Sequence, residues 1–228
     1  MKKALIVTDS LGLPRGEYST EESWVFNFMS TLKDDFVFYT ELKRGATSNV
    51  LKGLQANFDF LRMDMMIIQL GICDCTRRPI PRKIASLKHN IIANQKIANI
   101  LKQIINGYLY LFTSKIKIQN CSPKDYKKNI KEAIEFGIKS NRNCRIILLA
   151  IGDVGVNMKN KVYGIEKDIE QYNCILEVLA NEYENVTYLN WKVGHCADDY
   201  VIEEDGHHLN IYGNGLLLTK LLKEVREG

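Results

Sequence analysis

The sequence predicts a three-layer α/β fold in which five parallel strands form one sheet, wound on both faces by helices. Two observations predict it. Five short β-rich apolar runs recur along the 228 residues, at 4–7, 36–39, 65–70, 145–151 and 186–191. The intervals between them carry helical periodicity, and strands alternating with helices imply parallel pairing through crossover connections.

In chain order, Ala4-Leu5-Ile6-Val7 is the first strand, stopped by the polar Thr8-Asp9-Ser10. A helix is expected over 22–32 before the second strand, and the third strand ends at Leu70. From Cys73 to Asn143 the chain is about twice as long as one crossover requires, so two or more helices belong there. One is expected within 84–112. Another carries Tyr126, Ile130, Ile134 and Ile138 on one face, with Ser122 as N-cap and Pro123 at the first helical position. The strongest stripe is Ile165, Ile169, Tyr172, Leu176, Leu179 and Tyr183, spaced so that all six share one buried face. A last helix is expected over 212–225.

With no internal repeat, low-complexity tract or Pro/Gly/Ser linker, residues 1–228 read as one domain, large enough to bury roughly 70–75% of its unfolded surface. Apolar residues at 46% and charged residues at 25% exclude a disordered or charge-dominated chain. The apolar run after Met1-Lys2-Lys3 falls well short of the roughly 7–15 residues of a secretory signal, and no run reaches the roughly 18–20 of a membrane span. A cytoplasmic protein is the expectation. Cys73, Cys75, Cys121, Cys144, Cys174 and Cys196 lack the paired spacing of a zinc site and read as reduced thiols. The net charge of +4 is spread along the chain, unlike the basic stripe of a nucleic-acid binder.

Four segments after strands or near the C-terminus carry polar groups to the sheet edge where ligands of such folds bind. Thr8-Asp9-Ser10-Leu11 follows strand one and aims a hydroxyl into the crevice; Asp-Ser at a strand end also fits a helix N-cap. Arg44-Gly45-Ala46-Thr47-Ser48 follows strand two, where glycine permits close backbone approach or simply turns the chain. Leu70-Gly71-Ile72-Cys73-Asp74 follows strand three. Glu204-Asp205-Gly206-His207-His208 precedes the last helix. An Asp three residues before a His can accept the imidazole Nδ1–H and leave Nε2 as a base. The His207-His208 pair is also an adventitious metal-binding pattern, but without further ligands no metal or cofactor is expected.

Together the four segments resemble the blocks of the SGNH, or GDSL-type, serine hydrolases. The resemblance implies a flavodoxin-like three-layer α/β/α sandwich and no cofactor. It implies Ser10 as nucleophile, Asp205 and His208 as its partners, and an oxyanion hole at Ser10, Gly45 and the position of Cys73. Asp9, Asp74, His207 and Arg77 are expected at the substrate, a small acyl ester such as an acetylated sugar. Two departures stand out. Thr8 replaces the first glycine of the nucleophile block, and Cys73 replaces the oxyanion Asn with a weak donor. Asn49 or Ser48 is a candidate replacement donor. Gly71-Ile72-Cys73-Asp74-Cys75 is also similar to the third block of SGNH-like proteins from bacterial surface-polysaccharide pathways.

Arg77, Arg78, Arg82, Lys83 and Lys88 form a basic cluster that either holds a phosphate or is a solvated face. No Gly-x-Ser-x-Gly elbow, P-loop or dinucleotide fingerprint is present. The competing function is an SGNH-like module that binds a carbohydrate or ester without turning it over, motivated by Cys73.

Overall fold

The computed structural model describes residues 1–15, 18–58, 61–78 and 107–227. Its strands are β1 (Lys2–Thr8), β2 (Phe36–Leu42), β3 (Met65–Gln69), β4 (Arg145–Leu149) and β5 (Val186–Leu189). All pair in parallel in the order β2-β1-β3-β4-β5, the doubly wound sheet the sequence predicts. The helices are α1 (Trp24–Thr31), α2 (Leu54–Phe58), α3 (Ile72–Cys75), α4 (Leu109–Lys115), α5 (Pro123–Ser140), α6 (Val156–Lys161), α7 (Ile165–Glu182), α8 (Ala197–Tyr200) and α9 (Ile211–Glu227).

The central strands β1, β3 and β4 are apolar on both faces because helices cover both, while the edge strand β2 is only half-buried. Ala4, Ile6, Met65, Ile67, Ile147 and Leu149 meet Trp24 and Phe28 of α1 and Leu217 and Leu221 of α9. The alternate set, Leu5, Val7, Met66, Ile68, Ile146 and Leu148, meets Tyr126, Ile130 and Ile134 of α5 and Ile169, Tyr172 and Leu176 of α7. Each Leu, Ile, Val, Met or Phe among them contributes about 1.5–3 kcal/mol by leaving water. Every one of these residues is nearly or fully buried.

The α5 and α7 stripes form as spaced. The Ser122 hydroxyl accepts from the Asp125 N–H at 3.1 Å, with Pro123 in the first turn. Tyr183 departs from its stripe: it is the C-terminal cap of α7, half-buried, its hydroxyl 3.4 Å from Glu135. The helix expected over 22–32 starts at Trp24 because Ser23 caps it, accepting from the Phe26 N–H at 3.3 Å. β4 and β5 end two residues before their apolar runs do. Beyond the strand end, Ala150 and Trp191 stay buried by packing on each other, the indole N–H donating to the Ala150 carbonyl at 2.9 Å. The helix expected within 84–112 lies outside the described residues up to 106, and α4 occupies 109–115. Helices α2, α3, α6 and α8 have four to six residues, too few for periodicity to reveal. Among the described residues, no helix is long and apolar enough to cross a membrane.

The register sets the site. Thr8, the last residue of β1, lies opposite Leu42 of β2 and Gln69 of β3, so three strands end level at one edge. Gly71 then turns the chain from β3 into α3 at φ +141°, where an added Cβ would lie 2.3 Å from Ile151. No other residue fits there. The edge is tied from behind by α5 and α7. Tyr126 donates its hydroxyl to the Leu70 carbonyl at 2.8 Å, and the Asn173 amide bonds both backbone groups of Ile151 at 2.8 and 3.0 Å.

Candidate active site

Ser10 leaves β1 on a short 3₁₀ turn, Ser10–Gly12. The turn forms because the Asp9 carboxylate, fully buried, accepts from the Leu11 N–H at 2.9 Å. The Trp24 indole N–H donates to the Leu11 carbonyl at 3.2 Å and ties the turn to α1. Ser10 itself is half-buried and faces the other end of the chain.

There the segment 201–209 folds back on itself. Val201 and Leu209 bridge in antiparallel fashion, and the Ile202 and Gly206 N–H groups donate to the His208 and Ile202 carbonyls at 2.7 and 2.8 Å. Gly206 sits at φ +71°, with the backbone nitrogen of Met158 only 2.8 Å from where a Cβ would be. This turn lets the Asp205 side chain reach the residues that follow it. Asp205 Oδ1 accepts from the backbone N–H groups of His207 and His208 at 3.1 and 3.0 Å. Asp205 Oδ2 lies 2.8 Å from His208 Nδ1, and His208 Nε2 lies 2.9 Å from Ser10 Oγ. A continuous line of hydrogen bonds thus joins residues 198 positions apart.

Burial works to raise the Asp205 carboxyl, but the bonds from the His208 ring and from the two backbone N–H groups outweigh it and hold Asp205 well below the usual range. It is an anion at neutral pH, suited to hold the Nδ1–H tautomer of His208. His208 is 4% exposed. His207 stacks beside it with ring centroids 4.1 Å apart, and burial and the His208 neighbour lower its pKa to about 4.

The loop after β2 lies next to the Ser10 turn, because the Lys43 N–H donates to the Thr8 carbonyl at 3.1 Å. Gly45 in this loop has φ +66°. Asp74 fixes the loop further along. Its carboxylate takes the Ser48 N–H at 2.8 Å and the Ser48 hydroxyl at 2.7 Å, while Asn129 of α5 donates to the same hydroxyl at 2.8 Å. Cys73 is half-buried on α3, its carbonyl accepting from Asn120 at 2.6 Å.

Three residues expected at the substrate are engaged inside the chain instead. Asp9 and Asp74 are fully buried and hold the Ser10 turn and the Ser48 loop. Arg77 makes a two-pronged ion pair with Asp168 of α7 at 2.6 and 2.9 Å, and its guanidinium lies 5.8 Å from the Tyr163 ring centre. The pair holds Arg77 nearly buried against α7. Arg82, Lys83 and Lys88 lie outside the described residues. Ser48 is no replacement oxyanion donor, since its hydroxyl is committed to Asp74. Asn49 bonds Thr47 and Asn129. Two site residues escaped the sequence. Arg15 brings its Nε to 3.6 Å from Asp205 Oδ2. Asn214 caps α1 by accepting from the Trp24 N–H at 2.9 Å while donating to the Leu209 and Asn210 carbonyls. Both act across distant chain, so no local pattern marks them.

No protein-family model matches the chain, and no curated protein matches it. Solved structures do match in fold. A lipase/acylhydrolase from Enterococcus faecalis superposes with TM-score 0.66 at 13% identity, covering 100% of this chain and 96% of its own. A carbohydrate acetylesterase family member from Sinorhizobium meliloti gives 0.65 at 16%, covering 100% and 98%. The esterase EstA from Pseudoalteromonas sp. gives 0.59 at 16%, covering 100% and 98%. The described residues have the three-layer α/β fold of these structures.

The two buried acids give a pH signature. Burial raises Asp74 to about 6, opposed by its bonds from Ser48, and burial raises Asp9 to about 7, with the Asp74 charge adding to it. A carboxyl raised on folding stabilises fully below its unfolded pKa, near 4, and that contribution is lost as pH rises through the folded value. Asp74→Asn removes one such group. Chemical denaturation at pH 4.5 and 8 should find the wild type losing about 1–3 kcal/mol relative to Asp74→Asn on going to pH 8. A constant difference would mean that Asp74 does not titrate in the folded protein in this range.

Proposed function

We propose that the chain is an SGNH-type serine esterase that hydrolyses or transfers a small acyl group, O-acetyl on a carbohydrate. The observation that carries this is the unbroken relay from Asp205 Oδ2 through the His208 ring to Ser10 Oγ at 2.8 and 2.9 Å. In this reading His208 Nε2 takes the Ser10 proton as Oγ attacks the ester carbonyl, then gives it to the leaving alcohol. Asp205 stabilises the imidazolium formed between the two steps. Water attacking the acyl-serine, or a second alcohol, releases the acyl group by the same relay in reverse. The oxyanion is assigned to the backbone N–H groups of Ser10 and Gly45.

The small-acyl part rests on similarity, because the recess that Leu11, Leu13, Pro14 and Tyr18 form beside Ser10 and His208 holds only about 10 Å³ among the described residues, room for about one water and no acyl chain. The fold shared with a carbohydrate acetylesterase family member favours the same class. Cys73 at the third oxyanion position favours a second reading, a module that binds an ester or carbohydrate with little turnover. Loss of one such donor costs other enzymes about 10²–10³ in turnover.

A panel of p-nitrophenyl esters on purified protein separates these readings. Acetyl ester should be hydrolysed with kcat/KM about tenfold or more above octanoyl ester, and Ser10→Ala should lower kcat by about 10³-fold or more with an unchanged unfolding midpoint. Equal rates across chain lengths would refute the small-acyl assignment, and no Ser10-dependent hydrolysis would favour the binding module. If the Cys73 side chain faces the oxyanion, Cys73→Asn supplies a better donor and should raise kcat on acetyl ester about tenfold. An unchanged rate in a folded variant would show that the donor is already provided elsewhere.

A further inference from the structure

The relay needs one imidazole, yet two are turned toward the same carboxylate. His207 Nδ1 lies 3.3 Å from Asp205 Oδ1 and His208 Nδ1 lies 2.8 Å from Asp205 Oδ2. One ligand-capable atom from each of the three residues falls within 4.8 Å of the other two. A tetrahedral zinc with bonds of 2.0–2.1 Å sets its ligand atoms about 3.3 Å apart; the His207 Nδ1–Asp205 Oδ1 pair already stands at 3.3 Å, and the His208 Nδ1–Asp205 Oδ2 pair at 2.8 Å opens by about half an ångström to admit the ion. The donors are two imidazole nitrogens and a carboxylate oxygen, the set that suits zinc and its neighbours rather than calcium or magnesium. The turn at Gly206 that serves the relay also brings His207 into place.

We propose that Asp205, His207 and His208 bind one divalent transition-metal ion of the zinc class, and that its occupation turns the Ser10 relay off. Binding needs nothing from the esterase reading; the effect on turnover rests on it. In the relay, His208 carries its proton on Nδ1 and offers the Nε2 lone pair to Ser10. The metal takes the Nδ1 lone pair, so the single proton of the neutral ring resides on Nε2. Nε2 then donates to Ser10 Oγ and cannot accept its proton. Asp205 is drawn from the imidazole to the ion at the same time. Arg15, with Nε 3.6 Å from Asp205 Oδ2 and a half-exposed side chain, competes for that carboxylate and swings to solvent when the metal enters. Arg15 thereby weakens the site it borders.

The test uses Ser10→Ala protein with Cys174 and Cys196 replaced by Ser, because those exposed thiols are alternative zinc ligands. Calorimetry with Zn²⁺ should give one site per chain. Co²⁺ should give visible d–d absorption of low-coordinate nitrogen and oxygen ligation, with no thiolate charge-transfer band. His207→Ala and His207→Gln should each weaken binding about tenfold or more, and Arg15→Gln should tighten it. In the otherwise wild-type enzyme, Zn²⁺ should lower kcat reversibly by chelation, and His207→Gln should shift the inhibiting concentration upward relative to its own metal-free rate. Absence of one-to-one binding, or binding indifferent to both His207 variants, would overturn the site. Tight binding without loss of turnover in an active enzyme would overturn the switch alone. An enzyme inactive without metal would refute the esterase reading and leave the calorimetry to decide the site.

Discussion

The bond between the Asp205 carboxylate and the His208 imidazole is the interaction on which the rest of the site depends. Without it the ring has neither a fixed tautomer nor a fixed plane, and Ser10 has no directed acceptor. The bond exists because one short turn does several things at once. Gly206 takes a conformation closed to other residues, the Val201–Leu209 bridge closes the loop, and Asp205 Oδ1 is saturated by two backbone N–H groups. That leaves Oδ2 for the imidazole. Asn214 then links the α9 end of this loop to α1, and α1 holds the Ser10 turn through Trp24. The two halves of the relay are fixed to one helical layer.

Buried acids hold the opposite side of the site. Asp9 shapes the Ser10 turn, and Asp74 reaches across to the loop after β2 that carries Gly45. Taking carboxylates out of water is costly, and their raised pKa values are the mark of that cost. What the fold obtains is fixed geometry at strand ends, where backbone groups no longer have ladder partners. The ion pair of Arg77 with Asp168 does the same between α7 and the segment that follows α3. These groups order the frame around Ser10 from beneath.

The fold was largely legible because its signals are local. Strands buried on both faces are continuous apolar runs, and α5 and α7 repeat their contacts every three or four residues. Strand ends were misjudged where Ala150 and Trp191 bury apolar surface outside the ladder. The three side chains joined by hydrogen bonds, Ser10, Asp205 and His208, carry local signs in the sequence, two in their three-residue spacing and one in its strand end. Asp9, Asp74 and Arg77 are conspicuous in the sequence for their place past strand ends, yet their partners inside the chain leave no local sign there. A polar residue just past a strand looks the same in sequence whether it faces a ligand or a partner in the chain, and Asp74 meets Ser48 26 residues away and Arg77 meets Asp168 91 residues away. Arg15 and Asn214 carry no pattern of their own, since their roles arise only when distant segments meet.

The central claim is that the relay makes Ser10 a nucleophile, and covalent labelling with a fluorophosphonate followed by peptide mass spectrometry tests it most directly. The account predicts a single adduct on Ser10 in wild-type protein, strongly slowed labelling in Asp205→Asn, and none in His208→Ala that remains folded. No adduct on folded wild-type protein, an adduct on another residue, or labelling of Ser10 at an equal rate in His208→Ala would contradict it.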